Sequence, residues 1–437
     1  MVAKVSTRFL VLIILILLAG CQPRVYLMPP PVSHHRASQF YSLSENNLDD
    51  NLLYTLYATN RRPYDKPKGS TGYTIFPSDT LELGYVVHSV GDEGTTWDDM
   101  LHQSLNPDRD KKLLLKQIHA RDMVRYGEDD SLQQVPEKAE GFYEQINRTL
   151  QNSFDSDLLV YVHGANSNFY RATAQGAQLF HYTGHNAIVL SFSWPSAENI
   201  LKYKTDVLHA KKTVPAFSRL IELLAYHTKA RNINILAYSA GAQVVAPGLA
   251  YFRELYPDMS TVELKKKLRL GEIYFAAPDT SFKPFIHRYL KFKDIVERTT
   301  INFNKQDKVL RLAAFQNRTS RLGRPDISEL DEEESRLVLE AALSPQLNIL
   351  DVGRSEGLEL GGAHDFWYNH PWVSNDLLLL LLFNADPVER GLELHYAENG
   401  AKFYRFPSDY DRRIEQILLK KKEAFISNVE AGLKVKQ

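Results

Sequence analysis

Ser239, Asp307 and His364 follow one another along the chain, each beside a short apolar run that reads as a strand. Ser239 lies in ILAYSAGAQVV, residues 235–245, where apolar residues lead into the serine and small ones follow it. That composition fits a strand, a sharp turn and a helix. Such a turn lifts a serine hydroxyl above the carboxyl end of a strand, and small neighbours keep the strained backbone free of clashes. The pattern is G-x-S-x-G; here Ala237 replaces the first glycine and Gly241 keeps the second. A small-residue contact between strand and helix is the plainer reading of the same stretch. A serine hydroxyl is barely nucleophilic alone. An imidazole must take its proton and later return it to the leaving group, while a carboxylate fixes the imidazole tautomer. His364, in GGAHDFWYNHP, follows glycines that allow its ring to be aimed; His370 is the substitute six residues on. Asp307 ends TTINFNKQD, two predicted strands after the serine, and Asp279 in FAAPDT ends the strand before that one. Asp307 is the preferred acid and Asp279 the alternative. Together these groups would perform acyl transfer from an ester, thioester or amide.

A developing oxyanion needs two backbone donors. One should be the N–H just after the nucleophile, and the other should come from a loop ending an early strand. Ala240 and Ala165, the latter in YVHGANSNF, are the candidates. The histidines in HAKK, HYTGH and HRYLKF lie in helix-like contexts, and the chain shows no H-E-x-x-H or related metal spacing. The chemistry calls for no metal or organic cofactor.

The elements that must position these residues are legible as a series. DLLVYVHG, NAIVLSFSW, INILAYS, GEIYFAAPD, TTINFNKQD and LNILDV are short apolar runs without alternation, and helix-length segments separate them. Strands buried on both faces and alternating with helices predict a mostly parallel central sheet flanked by helices, an α/β fold. In such a sheet, chemistry gathers at the carboxyl ends of the strands. LLYTLYATNRR and LELGYVVHSVG read as further strands. Residues 97–152 are polar and helix-prone, an insert before the HG strand that could shape the entrance. LLLLLLF, residues 377–383, is too short to span a bilayer and reads as a buried helix. Trp367, Tyr368 and Trp372 are either an aromatic wall beside His364 or core. Residues 51–400 form the predicted domain and 401–437 a charged C-terminal helix.

The 437 residues carry a net charge of −1, so no basic field points to nucleic acid. The first 20 residues have Lys4 and Arg8, an apolar middle and small residues, the layout of an export signal. Cys21 is the only cysteine, which excludes a disulfide framework and a cysteine nucleophile in the folded part. Leu18-Ala19-Gly20-Cys21 resembles the lipobox of bacterial lipoproteins. The resemblance implies cleavage before Cys21 and its acylation, which anchors the protein to a membrane without a spanning helix. With Gln22 following, it also implies the outer membrane of the bacterial envelope. Residues 21–50, rich in Pro, Ser and Asn, read as a tether in which His34 and His35 are solvated.

The stretches LYATNR, LLVYVHGANSNFYRATAQGAQL, SFSWPS, KYKTDVLHAKK, ILAYSAGAQVV, FAAPD and RLGRPD resemble a bacterial family of uncharacterised α/β-hydrolases. The likeness spans roughly residues 52–380, with Trp194-Pro195-Ser196, Tyr203 and Asp206 at family spacing. It implies the α/β-hydrolase fold, Ser239 as nucleophile, His364 as base and one of the two aspartates as acid. The family carries H-S-M-G at the turn, where this chain has Tyr238-Ser239-Ala240-Gly241, so the lining of the oxyanion side differs. Two functions fit. One is an envelope serine hydrolase, esterase- or lipase-like, acting on a small acyl substrate or lipid. The other is a catalytically silent scaffold of the same fold, favoured by Ala237.

Overall fold

The computed structural model describes residues 24–36 and 51–420, except 110, 135, 154–155, 186, 356–357 and 359. The expected export signal and Cys21 lie outside these residues. The strands are β1 (Leu52–Asp65), β2 (Thr71–Val90), β3 (Leu115–Tyr126), β4 (Leu158–Val162), β5 (Ile188–Phe192) and β6 (Ile233–Tyr238). They continue as β7 (Leu270–Ala276), β8 (Val296–Phe303), β9 (Leu347–Asp351), β10 (Glu393–Tyr396) and β11 (Lys402–Arg405). The helices are α1 (Val32–Arg36), α2 (Trp97–Leu105), α3 (Glu137–Asn152), α4 (Phe169–Tyr182), α5 (Tyr203–His227) and α6 (Ala242–Leu255). After these come α7 (Thr261–Leu268), α8 (Phe282–Phe292), α9 (Lys308–Asn317), α10 (Glu332–Leu343), α11 (Phe366–Asn369) and α12 (Pro371–Phe383).

The described strands make one sheet in the order β10-β11-β9-β8-β7-β6-β4-β5-β1-β2-β3. The centre is parallel, and antiparallel pairs close each edge. Both faces are covered, as continuous apolar strands require. Along β4, Leu158, Val160 and Val162 join one core with α3, α5, α6 and α8. Leu159 and Tyr161 join the other with α4, α12 and the helical run 410–420. β6 divides the same way, Ile233, Ile235 and Ala237 against Leu236 and Tyr238. Chain order reverses between β4 and β6, so the crevice at their carboxyl ends is the switch point where α/β sheets bind ligands. Leu377 to Leu381 of α12 are all buried, which is where a helix apolar all round belongs. Among the described residues no helix is long and apolar enough to cross a membrane.

Three boundaries differ from the sequence reading. The 97–152 stretch is not a helical insert. Between α2 and α3 it contributes β3, which pairs antiparallel with β2 as the edge strand. Two register shifts in that pairing break its two-residue alternation, so the lysine- and leucine-rich composition reads as helix instead. The 401–437 stretch begins with β11, which adds to β9 in parallel and carries β10 as a hairpin partner. Helix starts only at 410, and nothing beyond 420 is described. The tether also starts later than residue 21. Val25, Leu27 and Met28 are buried, Leu27 donates its amide to the Leu113 carbonyl, and Leu115 donates to Val25. His34 is buried on Tyr182, its Nε2 3.0 Å from that residue's carbonyl oxygen, rather than solvated.

Candidate active site

At the end of β6 the chain changes hand. Tyr238 is extended and Ser239 has φ of +50°, a left-handed conformation that costs a non-glycine residue about 1–3 kcal/mol. The next two residues form a tight turn into α6. Two contacts hold the strained residue. Its carbonyl accepts the Asp279 amide at 2.9 Å, and the turn is pressed against the end of β4. A Cβ on Gly241 would lie 2.5 Å from the Val162 carbonyl oxygen, so that glycine is required by close approach. A Cβ on Gly164 would lie 2.9 Å from the Ser239 Cβ, which keeps the HG loop directly beside the serine. Ala237, in place of the first glycine, is buried in the core without displacing the turn.

Ser239, His364 and Asp307 meet. The His364 Nε2 is 2.8 Å from Ser239 Oγ, and its Nδ1 is 2.7 Å from Asp307 Oδ2. A carboxylate only accepts, so Nδ1 carries the ring proton and Nε2 is left to accept the serine hydroxyl. Asp307 is fully buried, and its Oδ1 caps α9 by accepting the Leu310 amide at 2.9 Å. The loop bearing His364 is tied to the same place. Lys308 donates its amide to the Gly362 carbonyl at 3.2 Å, and Asn304 Nδ2 donates to the Gly361 carbonyl at 3.1 Å.

Asp279 points elsewhere. Its carboxylate accepts from Arg321 Nε at 2.5 Å and from the Tyr203 hydroxyl at 2.8 Å, while its carbonyl accepts from Gln243 Nε2. Its part in the site is the backbone bond to Ser239. His370 also lies apart: its Nδ1 accepts the Trp372 amide at the start of α12, and burial lowers its pKa to about 4. Trp367 is core, packed on Tyr161 and Tyr238, and Trp372 packs on Phe406 and Tyr410. Tyr238 has its ring 5.5 Å from that of His364, and the rings of Trp367 and Tyr368 each lie 5.9 Å from the Tyr238 ring.

The two oxyanion candidates flank the serine. Among the described residues, neither the Ala165 nor the Ala240 amide donates to a loop, turn or side-chain acceptor. The loop carrying Ala165 is fastened from below. Asp206 accepts the Asn166 amide at 3.1 Å and the Ala197 amide at 2.5 Å. Ser196 Oγ accepts the Ser167 amide and donates to the Ser167 carbonyl. Arg61, fully buried, donates Nη2 to that carbonyl at 2.7 Å and Nε to Ser193 Oγ. Burial lowers the Arg61 pKa to about 10, which leaves it charged at neutral pH, and lowers that of His163 to about 3, which leaves it neutral. Reading residue types alone passed over Arg61, Tyr203, Gln243 and Arg321 as members of the site. Their signal lay in the stretches LYATNR, KYKTDVLHAKK, ILAYSAGAQVV and RLGRPD.

Asp206 gives a pH signature. Burial raises its carboxyl to about 6, above its ordinary 3.8. The folded state therefore binds this proton more tightly than the unfolded chain, and stability from this group grows as pH falls through 6. From pH 7 to pH 5 the wild type should gain about 1 kcal/mol relative to Asp206→Asn. Urea unfolding of both proteins at the two pH values checks it; parallel curves would contradict the assignment.

Among the described residues, no group of three or more His, Cys, Asp or Glu side chains could hold a metal ion. Over residues 138–372 the chain matches the model of a family described as alpha/beta hydrolase of unknown function (DUF900). No curated protein and no solved structure matches it.

Proposed function

The chain belongs to that α/β-hydrolase family, and from this premise we propose that it is a serine hydrolase cleaving an ester, thioester or amide through an acyl-enzyme. The observation that carries the reading is the hydrogen-bonded series from Ser239 through His364 to Asp307, with its serine on a left-handed turn at the switch point. Ser239 Oγ attacks the acyl carbon while His364 Nε2 takes its proton. The oxyanion is held by the Ala165 and Ala240 amides, each worth about 10²–10³ in rate. Collapse expels the leaving group, which takes the proton from His364. A water, deprotonated by the same nitrogen, then releases the acid and frees the serine. Asp307 keeps the ring in the tautomer that both half-reactions need. The leading residues add a location: acylated at Cys21, the enzyme is anchored in the bacterial envelope, at the outer membrane facing the periplasm.

A fluorophosphonate probe tests the mechanism, because only a serine activated by its base reacts with it. The purified protein should label, and Ser239→Ala should not. Equal labelling of both would move the nucleophile elsewhere. A folded wild type that does not label would favour the silent scaffold.

A further inference from the structure

α4, α11, the N-terminal segment and the loop before β3 line a cavity of about 300 Å³. It is lined by Arg24, Arg109, Lys112, Arg171, Gln175 and Gln178, with Tyr368 at the side of the site, and no described lining residue is acidic. None of the four cations forms an ion pair with a described carboxylate. Arg109 instead donates to the Leu27 carbonyl, and Arg171 to the Asn166 carbonyl. The two glutamines are almost wholly buried. Their oxygens are taken, one by the Tyr161 hydroxyl and one by the Met28 amide, so their NH2 groups are left as donors. Four unpaired cations and two buried amide donors make a cavity that supplies hydrogen bonds and positive charge. Its complement is an anion rich in oxygen acceptors.

The cavity is coupled to the site in two places. Arg171 reaches the Asn166 carbonyl in the loop that carries the Ala165 amide. Tyr368 packs on Tyr238, which packs on His364. One tyrosine thus separates the anion-seeking cavity from the imidazole. Arg24 follows Cys21 by three residues, at most about 11 Å of extended chain.

We propose that this cavity binds a phosphoryl group of the substrate, the headgroup phosphate of a phospholipid whose ester is cut at Ser239. The proposal rests on the serine hydrolase reading. Multiple arginines suit a phosphodiester, whose oxygens accept several donors at once. An enzyme acylated at Cys21 would meet that group at the bilayer surface.

The test uses the mature full-length protein in uncharged detergent, wild type and Arg24→Gln/Lys112→Gln. Both replaced side chains are exposed, and neither touches the serine site. For dihexanoylphosphatidylglycerol the variant should lose about tenfold or more in kcat/KM, the scale of one charge-assisted hydrogen bond. For p-nitrophenyl butyrate it should stay within twofold. Inorganic phosphate should raise the Tm of the wild type and not of the variant. Unchanged preference between the two esters, with phosphate acting equally on both proteins, would overturn the proposal. Vesicles of phosphatidylglycerol separate the sources. A loss there too assigns a bilayer lipid, and a loss confined to the monomeric ester assigns a soluble phosphate ester. Fluorophosphonate labelling of the same samples keeps the two readings apart. Labelling without ester preference sinks only the cavity. Absent labelling sinks the nucleophile, and the phosphate-induced Tm shift then decides the cavity alone.

Discussion

Replacing His364 with alanine should lower turnover by about 10⁴- to 10⁶-fold, and adding Ser239→Ala should cost almost nothing more. The serine hydroxyl has the His364 Nε2 at 2.8 Å as its proton acceptor, and the ring's other nitrogen is committed to Asp307. Without the imidazole, Oγ keeps its proton and its strained position but cannot attack. Without Oγ, the imidazole has no proton to take. Each loss therefore removes the same step, and the effects do not add. Folding should be little changed, because His364 sits in a loop and is partly exposed. Measured kcat values for the two single variants and the double, with Tm beside them, test the coupling. Additive losses would mean that the two residues serve different steps. A His364→Ala enzyme retaining a tenth of the wild-type rate would remove the histidine from the mechanism.

How much of this was legible beforehand depends on the range of the interactions. The parallel strands and their order of use were readable because burial on both faces leaves a local mark, an apolar run of strand length. Ser239 was readable for a similar reason, since a sharp turn demands small residues nearby. What composition could not show was pairing at a distance. β3 looks like helix until two register shifts against β2 explain its broken alternation. Val25, Leu27 and Met28 look like tether because their partners lie far along the chain, Leu115 and Leu113 for the first two and Gln178 and Tyr182 for Met28. Asp307 could be preferred to Asp279 but not separated from it, for the same reason. Both end neighbouring strands, and only the position of Arg321 and Tyr203 shows that one carboxylate is already occupied. The stretches LYATNR, SFSWPS, KYKTDVLHAKK and RLGRPD lie far apart in the chain. Yet Arg61, Ser196, Tyr203, Asp206 and Arg321 converge beneath the two loops that flank Ser239. A family pattern thus marked the supports of a site whose reacting groups could be inferred from chemistry.

That distinction gives the second large effect. Asp307→Asn should lower turnover by about 10⁴-fold with little loss of stability. The asparagine oxygen can still cap α9 by accepting the Leu310 amide, so the helix keeps its start. Its NH2 then faces His364 Nδ1 and donates to it. That bond favours the tautomer with the proton on Nε2, which cannot accept the serine hydroxyl. Asp279→Asn should behave in the opposite way. It leaves the buried Arg321 guanidinium facing a neutral amide, and breaking such a pair costs about 3–5 kcal/mol. The backbone bond from residue 279 to the Ser239 carbonyl survives the change, so at temperatures where the variant is folded its turnover should fall far less than that of Asp307→Asn. Tm and kcat measured together separate the two carboxylates: one loses rate and keeps stability, the other loses stability and keeps most of its rate. The reverse outcome would place the acid at Asp279 and require the His364 loop to adopt a different position during turnover.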